Sequence, residues 1–376
     1  MWADHAADAT WACPHCAKTL SLYDHAAERM WRHLDSCQFQ TYLHARIPRV
    51  AGGEHGVVQV LVPGAEPRSR VTVLFERVAI DVLRQCAVTG ATRILRISWD
   101  EAWGLMQRAV TRGRARKPVH RVRRLGVDEK AAAKGHRYLT VVCDLDAGTG
   151  EHIAEDRTQA NLVGYYAGLT PEQLDGIEAV AIDMGEPYIQ ATLTKVPDAA
   201  EQIVFDRFHI RGQVGKAVDT VCKQEHPDLR ASGDETLTGS TYRWLYSREN
   251  LSAQRRDQFA ALMRQALKVG RAGARKETLR RLWHYVYPAS GWKFWKRWYF
   301  WATHSRREPI RKAAETIRRH VDNVLTYDQH PITNAMSEGL NSQIQKIKSM
   351  ACGFRNTEHF KTALYFHCGG LALYPC

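Results

Sequence analysis

Between residues 71 and 111 the apolar positions recur at helical spacing. Phe75, Val78, Ala79, Val82 and Leu83 fall on one stripe. The stretch TGATRILRISWDEAWGLMQRAV then predicts a short helix, a turn and a second helix. Ser98 with Glu101 three residues later is a capping box, which starts that second helix at Trp99. Ala102, Trp103, Met106, Ala109 and Val110 make its buried stripe. Two helices joined by a tight turn, the second ending in Arg108 and Arg112, fit a helix-turn-helix reader of DNA. An ordinary helical hairpin fits the pattern nearly as well.

After Arg124 the period shortens. RRLGVDEK reads as a strand ending at Asp128, RYLTVVCDL as a second strand, DAGTG as a turn and EHIAEDR as a third strand. A helix is predicted near residues 159–168. A short apolar strand, IEAVAIDM, ends at Asp183, a helix starts near Pro187, and EQIVFDRFHI is a further strand. Three antiparallel strands followed by two strand–helix alternations predict a mixed sheet with helices on its faces. Residues 211–327 carry little strand signal and read as helical. Within them, GWKFWKRWYFWATHS places Trp292, Trp295, Trp298 and Trp301 at every third residue. A helix apolar all round is usually buried. The sharper reading gives Lys293, Lys296 and Arg297 to phosphates while an aromatic ring stacks on an unpaired base.

The 376 residues suffice for two or three domains and a large core. Hydrophobic residues at 44% and charged residues at 25% exclude a disordered or collagen-like chain. No uninterrupted apolar run reaches the ~18 residues of a membrane span, and the N-terminus has no secretory pattern. Lys and Arg number 53 against 40 Asp and Glu, and the surplus favours a polyanionic partner. Eight of these cations lie between Arg108 and Arg124 with no acid among them. Such a run is usually a solvated linker. Behind a helix-turn-helix it also reads as a strip that tracks phosphates, with Arg108, Arg112, Arg114, Arg116, Lys117 and Arg121 as its contacts.

Nine dispersed cysteines predict reduced thiols and a cytoplasmic chain. Cys13 and Cys16 form the one close pair, CPHC, which presents two thiolates to a tetrahedral Zn²⁺ and needs two further ligands. His55 stands where a second knuckle is expected, and Cys37 or His33 is available for the missing ligand. A small fold whose cysteines bind nothing is the alternative.

Asp128 and Asp183 each sit where an apolar strand is predicted to stop. Strand ends in a mixed sheet bring such side chains together, and paired carboxylates invite divalent cations. Glu338 is the third acid. No other Asp or Glu occurs between Asp328 and Glu358. On a helix from about Thr333, Met336, Leu340, Ile344 and Ile347 line one face, and Glu338 points away from it beside Asn334, Asn341 and Gln345. A first-turn Glu that favours the macrodipole is the common explanation, but it leaves the amide cluster unexplained.

GVDEK, AIDMGEPYI, FDRFH and HPITNAMSEGLNSQIQKIK…CGFRN together resemble the blocks of bacterial insertion-sequence transposases of the ISL-three family, over nearly the whole chain. YFHCGGLALYP resembles the tail of one branch. The resemblance implies an α+β multidomain protein. Its parts are a zinc-binding module at residues 1–62, a helix-turn-helix domain at 63–112 and a basic linker at 113–124. An RNase H-like catalytic core follows at 125–210 and 328–376, interrupted by a helical insertion at 211–327. It implies Asp128, Asp183 and Glu338 as an Asp-Asp-Glu triad for two Mg²⁺ or Mn²⁺ ions, and a structural Zn²⁺. Asp206 and His209 match an Asp-x-x-His signature with a supporting role. A Cys expected near Gly52 is absent. The implied partners are the terminal inverted repeats and target DNA, the implied assembly a homodimer or larger, and the implied setting the bacterial nucleoid. A non-catalytic, domesticated or decayed DNA-binding protein is the alternative.

Overall fold

The computed structural model describes residues 1–133, 137–205, 207–240, 244, 252–265, 267–285, 287–328, 330, 332, 335–354 and 356–376. The chain divides into two compact units, residues 1–119 with 343–376, and residues 120–342.

The first unit opens with an antiparallel sheet whose strands follow chain order: β1 (Thr10–Ala12), β2 (Thr19–Ser36), β3 (Phe39–Gly52) and β4 (Gly56–Gln59). β2 and β3 form a long hairpin, paired from Leu22↔Val50 to Ser36↔Phe39. Its core is only Trp31, Ile47, Val50 and Val60 with a few half-buried neighbours. So small a core is the kind that a metal or a neighbouring element must reinforce.

Three helices follow: α1 (Val73–Gln85), α2 (Val88–Leu95) and α3 (Trp99–Arg116). Thr72 caps α1 by accepting from the Phe75 N–H. Arg96, in the left-handed region at φ 53°, ends α2. Both bonds of the Ser98–Glu101 capping box are present. The predicted stripe of α3 is buried at every position, joined by Leu105. Val78 departs from expectation: the inward face of α1 runs through Phe75, Ala79, Ile80 and Leu83, which leaves Val78 exposed. α3 also outruns the sequence reading, because the basic run continues the helix to Arg116. It stops where Lys117 precedes Pro118 and turns extended, as the proline ring demands.

The chain's last helix, α15 (Thr357–Cys368), and the tail behind it close over α3. A Cβ on Gly113 would lie 2.7 Å from the Leu371 Cβ, so glycine lets the tail cross. The Tyr374 hydroxyl donates to Asp81 Oδ1 at 2.5 Å.

The second unit is built on a five-stranded mixed sheet in the order β7-β6-β5-β8-β9. Its strands are β5 (Arg124–Ala133), β6 (Arg137–Asp144), β7 (Thr149–Glu155), β8 (Ala179–Ile182) and β9 (Ile203–Phe205). The first three are antiparallel, and β8 and β9 are parallel to β5. β5 does not end at Asp128. β6 pairs with it beyond Ala131↔Tyr138, whereas β8 pairs only as far as Gly126↔Ala181.

Helices α4 (Gln159–Ala167), α5 (Pro171–Asp175), α6 (Glu186–Lys195) and α7 (Ala199–Gln202) connect the strands. Then come α8 (Arg207–Ala231), α9 (Ala253–Arg264), α10 (Lys268–Leu279), α11 (Pro288–Thr303), α12 (Glu308–Arg318) and α13 (Val321–Leu325). Their apolar faces share one core with the sheet, from Leu125 and Val180 to Trp298 and Ile317. Buried Glu225 on α8 accepts the Lys268 and Val269 N–H groups at 2.6 and 2.7 Å, capping α10 from outside. On α11 the Trp-rich stretch is mostly core. Phe294, Trp295 and Trp298 are buried, and Trp298 Nε1 donates to the Arg275 carbonyl at 2.9 Å. α14 (Ala335–Met350) begins in this unit, and its residues from Gln343 on belong to the first. Among the described residues no helix is long and apolar enough to cross a membrane.

Candidate active site

Asp128 lies on β5, and Asp183 directly follows the last residue of β8. The parallel register sets Leu125 against Val180 and Gly126 against Ala181. That pairing stops two residues short of each aspartate. Both acids act on the same neighbours. Glu129 is held above the usual carboxylate range by burial first, then by the charges of Asp183 and Asp128, and Arg157 at 3.5 Å offsets only part of this. Tyr188 on α6 is pushed up to about 12, chiefly by burial, with Glu129, Asp183 and Asp128 adding to it. Its phenol stays protonated and donates to Thr140 Oγ1 at 2.8 Å, because the Thr140 proton goes to the Asp156 carbonyl at 2.6 Å.

Each aspartate is fixed by short bonds. Asp128 Oδ1 accepts from the Glu129 N–H at 2.7 Å. Its Oδ2 accepts from Lys130 Nζ at 2.9 Å and from Asn341 Nδ2 at 2.8 Å. Asn341 sits on α14, three residues after Glu338. The Glu338 side chain lies outside the described residues, as does Asp206; His209 is on α8 and exposed. Asp183 Oδ1 accepts from the Gly185 N–H at 2.9 Å, and a Cβ on residue 185 would come within 2.7 Å of that oxygen.

Glu129 and Lys130 were not singled out from the sequence. Alternation along β5 assigns Glu129 to the face opposite Asp128, yet the field of both aspartates reaches it. The signal available was the run Asp128-Glu129-Lys130 itself, two acids and a cation at one strand position. The negative charge of these carboxylates is only partly offset by Lys130.

In the first unit, ligand atoms of Cys13, Cys16 and His55 all lie within 4.8 Å of one another. Cys13 and Cys16 occupy the β1–β2 turn and His55 the β3–β4 turn, and Lys18 bonds Glu54 across the two at 3.2 Å. The backbone N–H groups of His15 and Cys16 hold the Cys13 thiol below its usual range, favouring thiolate. These donors suit Zn²⁺, whose ligands stand ~2.0–2.3 Å from the metal. Cys37 does not join them. It lies in the turn at the far end of β2, eighteen residues of strand away, and at ~3.3 Å per residue no ion bridges that span. His33 is likewise remote and engages Thr72 Oγ1 at 2.9 Å.

The expected phosphate strip divides. Arg112 turns inward: buried, it donates to Glu66 at 2.7 Å, to Glu76 at 2.5 Å and to the Leu373 carbonyl. That network removes it from DNA. Arg108 is half-buried and pairs with Glu76 at 3.2 Å. Arg114, over the Tyr365 ring, Arg116, bonded to the Tyr374 carbonyl, and Arg121 are exposed, and Lys117 is half-buried. Lys293, Lys296 and Arg297 are exposed on α11.

A cysteine–histidine knuckle, a helix-turn-helix and a mixed α/β domain, in that order, fit the layout of a transposase. Comparison with known proteins agrees domain by domain. Residues 9–51 match the zinc-finger of transposases IS204/IS1001/IS1096/IS1165, residues 60–110 the helix-turn-helix domain of transposase family ISL3, and residues 125–364 the transposase domain of that family. The chain is 29% identical over 295 residues to the transposase for insertion sequence element IS1001 of Bordetella parapertussis, covering 77% of this chain and 72% of that protein. It is 27% identical over 372 residues to the transposase for IS1557 of Mycobacterium tuberculosis, covering 92% and 83%. The chain belongs to the ISL3 family of transposases.

Proposed function

We propose that this transposase binds the terminal inverted repeats of its element, cuts the DNA at the element's ends and joins the freed 3′-hydroxyl to target DNA. In this reading Asp128, Asp183 and Glu338 form the triad of an RNase H-like core, and the helices between β9 and α14 are an insertion in that core. The observation that carries the assignment is the 2.8 Å bond from Asn341 to Asp128, which ties the helix bearing Glu338 to the strand bearing the first aspartate. These residues would hold Mg²⁺ or Mn²⁺ ions, which would supply activation of the attacking oxygen and stabilisation of the leaving 3′-oxygen. In this reading Asp128 is the carboxylate shared between the ions. Asn341 and the Glu129 N–H orient it, and the Gly185 N–H orients Asp183. Cys13, Cys16 and His55 hold the structural zinc. The helix-turn-helix and the cations Arg114, Arg116, Lys117 and Arg121 grip the repeats, with Lys293, Lys296 and Arg297 a second phosphate contact. Two ends must be brought together, so the working species is a dimer or larger.

The test is cleavage of a terminal-repeat duplex, and joining of pre-cut ends, in Mg²⁺. Asp128→Asn and Glu338→Gln should each abolish both while DNA binding persists. Salt-dependent binding with no cleavage by the parent protein would favour a DNA-binding protein without catalysis. Cleavage without joining would make it a nuclease. Variants as active as the parent would sink the triad.

A further inference from the structure

The first unit contains a cavity of about 850 Å³ between the end of α1, the starts of α2 and α3, the second half of α14 and α15. We propose that it receives an unpaired nucleobase with a flanking phosphate, so that this unit reads single-stranded DNA as well as duplex. The proposal rests on the chain's acting on DNA but not on the identity of its catalytic acids.

Among the described residues the lining contains no Asp or Glu, whereas Arg84 and Lys346 both contribute to it. Their charges, added to burial, hold His367 down at about 4, so that ring is neutral and the local field is positive. One wall is aromatic. Trp103 stacks on His359 with centroids 4.2 Å apart and planes 7° from parallel, which uses up those two faces. Trp99 only tilts against both, at 59° and 60°, and is 48% exposed. An indole with an open face, beside cations and away from acids, matches a flat π-system attached to an anion. Paired bases within a duplex keep their faces stacked on each other, so only a frayed, single-stranded or extruded base meets Trp99. An apolar peptide would satisfy the rings but leave Arg84 and Lys346 without a counter-charge. Transposition produces exposed strand ends, so the enzyme's own substrate supplies such a base.

The experiment uses the full chain in EDTA, which makes it independent of cleavage. The probe is a duplex with a short single-stranded end bearing 2-aminopurine, compared with the blunt duplex. The expected result is tighter binding of the tailed duplex, with quenched 2-aminopurine fluorescence. Trp99→Ala should remove roughly ten-fold of the tailed duplex's advantage over the blunt one, and Trp99→Phe should retain most of it. Lys346→Gln should lower the salt slope for the tailed duplex alone by about one. Equal affinity for tailed and blunt DNA, or a Trp99→Ala protein that still quenches the probe, would overturn the proposal. Loss of both DNA affinities in Trp99→Ala would also overturn it, by making Trp99 a support of the fold.

Discussion

Asn341 donates its side-chain amide to Oδ2 of Asp128 at 2.8 Å, across 213 residues of sequence, and Lys130 holds the same oxygen at 2.9 Å. The two donors differ in consequence. The amide is neutral and orients the carboxylate, whereas the ammonium would compete with any divalent cation bound at that oxygen. Asn341→Ala should therefore weaken Mn²⁺ binding and slow cleavage by roughly ten-fold or more, the effect of losing one bond to a charged group. Lys130→Met should instead bind Mn²⁺ at lower concentration. Electron paramagnetic resonance titration of free Mn²⁺ reads both without reference to turnover. Equal affinities in all three proteins would mean that neither donor faces the ions.

Gly185 is confined by Asp183. Its backbone conformation suits any residue, but a Cβ there would press to 2.7 Å on Oδ1. Gly185→Ala should push the aspartate aside, and an ångström of misplacement costs cleavage on the order of 100-fold. The melting temperature should change little, since the clash is relieved by one side chain. A fully active variant would mean that Asp183 tolerates displacement.

Arg112 and Arg121 should behave oppositely. Removing Arg112 leaves Glu76 buried without its closest partner, so Arg112→Ala should lower unfolding free energy by about 3–5 kcal/mol. Arg121→Ala should leave denaturant unfolding unchanged and reduce the slope of log affinity against log salt by about 0.9. A stable Arg112→Ala protein with a reduced salt slope would restore Arg112 to the phosphate strip.

The zinc group gives a prediction in metal content. The purified chain should carry one Zn²⁺ by mass spectrometry, and chelation should lower its melting temperature. Cys13→Ser, Cys16→Ser and His55→Ala should lose the ion, whereas Cys37→Ser should keep it. A Cys37→Ser protein without zinc would place that thiol in the site despite its position at the far end of β2.

Local physics wrote much of this protein into its sequence. The capping box at Ser98, the stripe of α3, the meander of β5–β7 and the apolar strand before Asp183 all depend on neighbours within a few residues, and each is present. Asp128 stands out in the sequence as an acid after an apolar run, although β5 carries on past it to Ala133. Tertiary structure alone decided the rest. Arg112 looks like its basic neighbours until Glu66 and Glu76 arrive from elsewhere to bury it. Cys37 and His55 are equally good ligands on paper, and only the strand pairing separates them, setting one turn beside the CPHC knuckle and the other a strand's length away. The charge of Asp183 on Glu129 and the grip of Asn341 on Asp128 come from groups distant in the chain, so no local pattern encodes them.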